Sequence, residues 1–248
     1  MVSDGRRIVK YGLEIENWAF WSPESRVPAE WRDHWSQPAA GPRQTKAPDD
    51  AIPAVHRRRM SGLSKIAVQV AIEASRRSPA EFLVFCSQHG ELIRTHELLG
   101  QIVAGIELSP AAFSQSVHNT SAGLYTIVTQ NHAPASSLAS GASTFAYGWL
   151  EAEGFLLDNP SGRALLVTYE DVLPEAYRPF SKQRQCMYAV GLMLRRSEHG
   201  GLTLESAEAE DDEPLPLAPL FMAWWLSSAD EVHMTADGQG WTWRRHGS

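Results

Sequence analysis

The chemistry open to this sequence would have to come from a few hydroxyls, histidines and thiols. Ser140 and Ser143 stand within Ser140-Gly141-Ala142-Ser143, and with His118 or His132 as base they would describe a serine hydrolase or acyltransferase. The nucleophile elbow of such enzymes needs glycine two residues before and after its serine, where Ser140 has Leu138 and Ala142. Serine catalysis is therefore the weaker reading. A metal centre would ask for three or four convergent ligands, and His89 with His96 offers two, at a spacing nearer two helical turns than one, so no metal is expected. Gly90, Gly100, Gly105, Gly141 and Gly154 lack the close spacing of a phosphate-cradling fingerprint, and no cofactor is implied. Cys86 and Cys186 each lie in an apolar run that reads as a strand, where a cysteine behaves as a small buried hydrophobe.

Composition narrows the classes further. With 248 residues, 43% of them hydrophobic, the chain can bury a substantial core, and a single domain over 1–248 is expected. A net charge of −7 with 21% charged residues lacks the footprint of a nucleic-acid binder. The one dense basic run, His56-Arg57-Arg58-Arg59, could attract phosphate or an acidic protein, although such short runs are usually solvated faces. Met1 to Lys10 has no apolar stretch of signal-peptide length and no later segment nears the ~20 apolar residues of a membrane span, so the cytoplasm is the default location.

Periodicity supplies the elements that would hold any site. Ile8, Tyr11, Leu13, Ile15, Trp18 and Phe20 roughly suit a first strand over Arg7 to Trp21. A Trp- and Pro-rich excursion follows at about 22–62, with Trp31 and Trp35 read as pins against the core. Ile66, Ala67, Val70, Ala71 and Ala74 recur at helical spacing, and a buried strand is expected over Glu81 to Ser87. Helices are expected over Glu91 to Val103, Pro110 to Thr129 and Thr144 to Leu157, then strands over Ala164 to Tyr169 and Met187 to Leu194. An acidic surface loop is expected at about 205–216, then a helix from Leu217 to Leu226, with Trp241 to Arg245 as a final strand or tail. Strands separated by helices of this length predict an α/β fold with both faces of the sheet covered.

The most specific segment runs Ser109-Pro110-Ala111-Ala112-Phe113-Ser114-Gln115-Ser116-Val117-His118-Asn119-Thr120-Ser121-Ala122-Gly123-Leu124-Tyr125. It resembles the β-ketoacyl synthase-like, N-terminal family, whose members include chain-length-factor-like proteins of aryl polyene gene clusters. Asn119 to Gly123 matches the Asn, two variable residues, Ala and Gly of ordinary ketosynthases, Ala133-Pro134 matches their Gly-Pro turn, and Ala135 through Ala139 matches the strand leading to their nucleophile. Their Thr-Ala-Cys then falls on Ser140-Gly141-Ala142, which puts Ala142 at the nucleophile position. Ser143 through Ala152 looks like the helix whose N-terminus holds their thiolate, where the helix dipole and free amides lower a cysteine's pKa. Alanine cannot be acylated there, and the two histidines that these enzymes take from a C-terminal half have no counterpart in His199, His233 or His246.

The resemblance implies a thiolase-like half-fold, helices covering both faces of a mixed sheet, with the strand around Ser136 to Ala139 at a dimer contact. It implies no catalytic residue, leaving Ser140 and Ser143 only as alternatives, and a non-catalytic, chain-length-factor-like subunit of fatty-acid-like or polyketide biosynthesis. The partner would be a full-length β-ketoacyl synthase in a heterodimer, reaching acyl carrier protein through the complex. Phe113, Gln115, His118 and Asn119, with Leu124, Ser137 and Phe145, would lie at the interface or the acyl tunnel. The residues themselves leave the plainer account of His118-Asn119 open, a polar pair capping or cross-linking elements at a subunit contact. An independent serine acyltransferase or thioesterase, and a homodimeric acyl-binding scaffold, stand as alternatives.

Overall fold

The computed structural model describes residues 12–23, 47–210 and 214–247. Trp31, Trp35 and most of the Trp- and Pro-rich excursion lie outside the described residues, as does the start of the expected first strand. The strands are β1 (Leu13–Trp21), β2 (Phe82–Cys86), β3 (Ala135–Leu138), β4 (Arg163–Glu170), β5 (Tyr188–Arg196), β6 (Gly201–Glu208), β7 (Glu231–Ala236) and β8 (Gln239–His246). The helices are α1 (Ala54–Arg57), α2 (Gly62–Ser75), α3 (Leu92–Val103), α4 (Pro110–Ser114), α5 (Thr120–Thr129), α6 (Thr144–Asp158) and α7 (Leu217–Trp225), with a 3₁₀ turn over Glu175–Phe180.

All eight strands form one mixed sheet, in the order β3-β2-β4-β5-β1-β6-β8-β7. The parallel pairs β2–β3 and β2–β4 are linked through helices, whereas the β6-β8-β7 end is antiparallel. Strands β2 and β4 read as continuous apolar runs because both their faces are covered. On one face, Leu83, Phe85, Leu165 and Val167 pack with Ile66, Val70 and Ala74 of α2 and Tyr125 of α5. On the other, Val84, Cys86, Leu166 and Val190 pack with Phe145, Trp149 and Ala152 of α6 and Phe221 of α7. Helix α6 comes close enough to the sheet that a Cβ at Gly148 would lie 2.3 Å from Cys86 Sγ, so this helix position requires glycine.

Several departures from the expected elements have local causes. The imperfect alternation of β1 is a β-bulge: its pairing with β5 shifts between Ile15 and Asn17. That shift keeps Leu13 and Ile15 on the same core face as Trp18 and Phe20, and frees the Asn17 amide to donate to the Glu73 and Ala74 carbonyls at the end of α2. The helix expected over Pro110 to Thr129 is two, α4 and α5, because polar residues between them bond locally: Ser116 Oγ donates to Phe113 O and Thr120 Oγ1 to Val117 O. The acidic stretch begins as the end of β6 and not as a loop: Leu202 packs into the core while Glu205 and Glu208 point to solvent, and the chain leaves the sheet only after Glu208. Cys86 lies within β2 as expected, but Cys186 precedes β5 and is half-buried, and the two are not disulfide-bonded.

Candidate functional site

The turn Ala139 to Ser143 joins the edge strand β3 to α6, so whatever stands at position 142 sits at the head of a 15-residue helix. Gly141 adopts φ +55°, a conformation that favours glycine. Thr144 stabilises the turn through its hydroxyl, which accepts from the Ser140 N–H at 2.9 Å and donates to the Gly141 carbonyl at 2.6 Å. Ala142 offers a methyl group to a cavity of about 30 Å³ that it shares with Phe145, Thr168, Tyr188 and the hydrogen-bonded side chains of His89 and Glu170, 3.4 Å apart. That is room for about one water, not for an acyl chain.

A hairpin from the far end of the sheet covers this turn. Strands β7 and β8 are joined by Asp237-Gly238, with φ of +53° and +73°, the two positive values that a two-residue type I′ turn requires. The Ser143 amide donates to Asp237 Oδ2 at 3.2 Å, Ser143 Oγ donates to the Ala236 carbonyl at 3.0 Å, and Trp241 Nε1 donates to Ser143 Oγ at 3.1 Å. Tyr147, one helical turn along α6, donates to Gln239 Oε1 at 3.1 Å. Ser143 is thus buried and committed to structure on both sides of its hydroxyl. This hairpin is the part of the site that the sequence reading missed. Its signal is Asp237-Gly238 between the alternating runs Val232, Met234, Ala236 and Trp241, Trp243.

The other expected site residues fall into three groups. Phe113, Gln115, His118 and Asn119 share a shoulder around α4 and the start of α5: Phe113 is 61% exposed, Gln115 Oε1 accepts from Arg94 Nη1 at 2.5 Å, and Asn119 is the N-terminal cap residue of α5. His118 Nε2 donates to the Ser87 carbonyl at 2.7 Å, which ties the start of α5 to the loop after β2. Ser137 is exposed on β3, at the sheet's edge. Leu124 packs half-buried against the α2 core, whereas Phe145 is buried in the α6 core on the opposite face, stacked 5.6 Å from Trp243. Leu124 and Phe145 thus lie on opposite faces of the sheet.

Neither candidate base reaches the serines. His132 precedes β3 and Ser140 follows it, so the strand separates them, and His118 is held at Ser87. Burial pushes the Cys86 thiol far up, with Glu151 and Glu170 adding to it, so Cys86 is no nucleophile either. Among the described residues no group of three or more His, Cys, Asp or Glu could hold a metal ion, and no helix is long and apolar enough to cross a membrane.

Residues 31–244 match the family model described as β-ketoacyl synthase, N-terminal domain. Among solved structures, one similar chain comes from the ketosynthase ApeO in complex with its chain length factor ApeC from Xenorhabdus doucetiae: 29% identity over 95% of this chain and 100% of that one, TM-score 0.84. The ishigamide ketosynthase/chain length factor shares the fold at 14% identity over 82% of this chain and 69% of that one, TM-score 0.60. So does AntDE:AntF, a type II polyketide synthase acyl-carrier protein in complex with its ketosynthase bound to the hexaketide, at 15% identity over 82% and 71%, TM-score 0.60. No curated protein matches the chain.

Proposed function

The chain belongs to the β-ketoacyl synthase, N-terminal domain family, and we propose that within it this protein is a non-catalytic, chain-length-factor-like subunit. Its partner is a complete β-ketoacyl synthase that condenses acyl chains carried on acyl carrier protein, in biosynthesis of the aryl polyene or type II polyketide kind. The observation that carries this reading is the likeness, along nearly all of this chain and the whole of the other, to a chain of a ketosynthase–chain length factor complex. Chemistry at the α6 head supports it: Ala142 has no lone pair to accept an acyl group, and the neighbouring cavity of about 30 Å³ is too small to hold one. In this reading the chain serves as one domain with the cytoplasm as its place of work, and it acts through the surface that carries Phe113 and the β3 edge, by shaping or stabilising the tunnel of the partner.

The test is reconstitution. Condensation by the partner synthase should require this chain, should be unaffected by Ala142→Ser, and should give a shifted product-length distribution or a weaker complex with Phe113→Ala. An unchanged product profile together with unchanged association in Phe113→Ala would remove the site assignment. The serine acyltransferase reading makes the opposite forecast, labelling by a fluorophosphonate probe that is lost in Ser140→Ala. The committed hydrogen bonds of Ser143 weigh against it.

A further inference from the structure

We infer that Asp237 is a second lock on the silenced site: its carboxylate fills the anion-stabilising head of α6 from within, so position 142 would hold a thiolate poorly even if the thiol were restored. The carboxylate touches the turn on both sides of Ala142. On one side Oδ2 accepts from the Ser143 amide at 3.2 Å, and on the other a Cβ built at Gly141 would lie 2.4 Å from the same oxygen. The N-terminus of a long helix carries a partial positive charge and amides without intrahelical partners, which is what a thiolate at its head exploits. With a carboxylate already seated there, that favourable field is spent on Asp237, and a second anion one residue away meets a like charge.

The lock is held in place by more than its own hydrogen bond. The two positive φ values of the hairpin turn fix where Asp237 points, Ser143 Oγ ties the hairpin at Ala236 O, and Tyr147 ties it at Gln239. Among the described residues, the other ionisable groups around position 142 are His89, Glu170, Asp171, Arg184, Cys186 and Tyr188, which line the small cavity, with Tyr147 facing the hairpin from α6. A change at Asp237 leaves all of these in place, so it isolates the carboxylate.

This inference rests on Ala142 occupying the nucleophile position and not on which partner binds, so it can fail while the subunit reading stands, and the reverse. The experiment compares the full chain carrying Ala142→Cys with the double variant Ala142→Cys/Asp237→Asn, in which the amide keeps the shape and an accepting oxygen. The measurement is the pH profile of iodoacetamide alkylation at position 142, followed by peptide mass spectrometry so that Cys86 and Cys186 are read separately. Using the midpoint of the profile removes differences in access to the site. The single variant is expected to titrate no lower than an ordinary cysteine, and the double variant about one unit lower, which is about tenfold more thiolate at neutral pH. A single variant that already titrates below an ordinary cysteine, or a double variant that titrates with the single, overturns the inference. Should Asp237→Asn fail to fold by thermal melt, the single variant against a cysteine peptide decides it: a depressed midpoint overturns the lock and an undepressed one supports it.

Discussion

Helices α6 and α3 are similar in length and stand in opposite situations. Along α6, Phe145, Ala146, Gly148, Trp149, Ala152 and Leu156 are buried, and α7 and β8 supply the aromatic partners. Along α3 only Leu98 is buried, while Leu99, Ile102 and Val103 are 48%, 56% and 89% exposed, with Ile106 beyond the helix at 57% and Phe113 on α4 at 61%. A helix built to be amphipathic normally buries its apolar stripe, and a cluster of exposed large apolar groups marks a surface that another protein covers. The comparison teaches where the chain is complete by itself and where it is not. The turn at Ala142 is closed by the chain's own hairpin, whereas the α3–α4 shoulder, on the segment between β2 and the edge strand β3, stands uncovered and, under the proposed function, is the surface offered to the partner.

The largest expected effect would break the first half of that contrast. Trp149 is fully buried and rests against Phe221 and Trp243, so Trp149→Ala should cost about 3–5 kcal/mol in stability, read by chemical denaturation. A change below about 1 kcal/mol would mean that the α6 core is not the chain's own. Next comes the second half: Leu99→Asp with Ile102→Asp should weaken association with the synthase tenfold or more, on the order of 1.4 kcal/mol, while the melt of the separate chain is unchanged. An unchanged affinity would place the interface elsewhere.

A smaller effect is expected at the rim of the small cavity. The Asp171 carboxyl is pushed above its ordinary value by burial first, and further by Glu91 and Glu170, against the opposing amide of Val172. A carboxyl raised in the folded state holds its proton more tightly there than in the unfolded chain, so its contribution is fully present below the ordinary carboxylate pKa and is lost as pH rises through the folded value. Asp171→Asn should therefore raise the melting temperature modestly at pH 7 and leave it nearly unchanged at pH 3.5, as measured by calorimetry. A gain of equal size at both pH values would contradict the cause given. The smallest effect is expected for Val103→Ser, within about 0.5 kcal/mol on the stability of the separate chain because the side chain is 89% exposed.

How much of this was legible in the sequence divides along the same line. Helical spacing in α2 and the apolar runs of β2, β4 and β5 stood out because both faces of that part of the sheet are covered, so the pattern is unbroken. The resemblance from Asn119 to Gly123 and on to Ala142 placed a helix from Ser143, and α6 begins at Thr144 with Ser143 as its cap residue. Strand β6 was hidden because its outward positions carry glutamates that read as an acidic loop, while β1 showed only as an imperfect alternation because a bulge breaks its period of two. The β7–β8 hairpin gave a local signal in Asp237-Gly238, but its meaning lies in a contact between Asp237 and Ser143, 94 positions apart, which no local pattern encodes. The same holds for Phe145: helical periodicity cannot tell a core residue from one at an interface, and its burial against Phe221 and Trp243 places it in the core.

The most direct test of the central claim is native mass spectrometry of the tagged chain isolated from its own cell, with peptide identification of whatever is bound. The expected result is a one-to-one assembly, or a multiple of it, with a full-length β-ketoacyl synthase. A lone monomer or a homodimer, with no synthase among the peptides, would contradict the subunit reading and turn attention to an acyl-binding protein that works by itself.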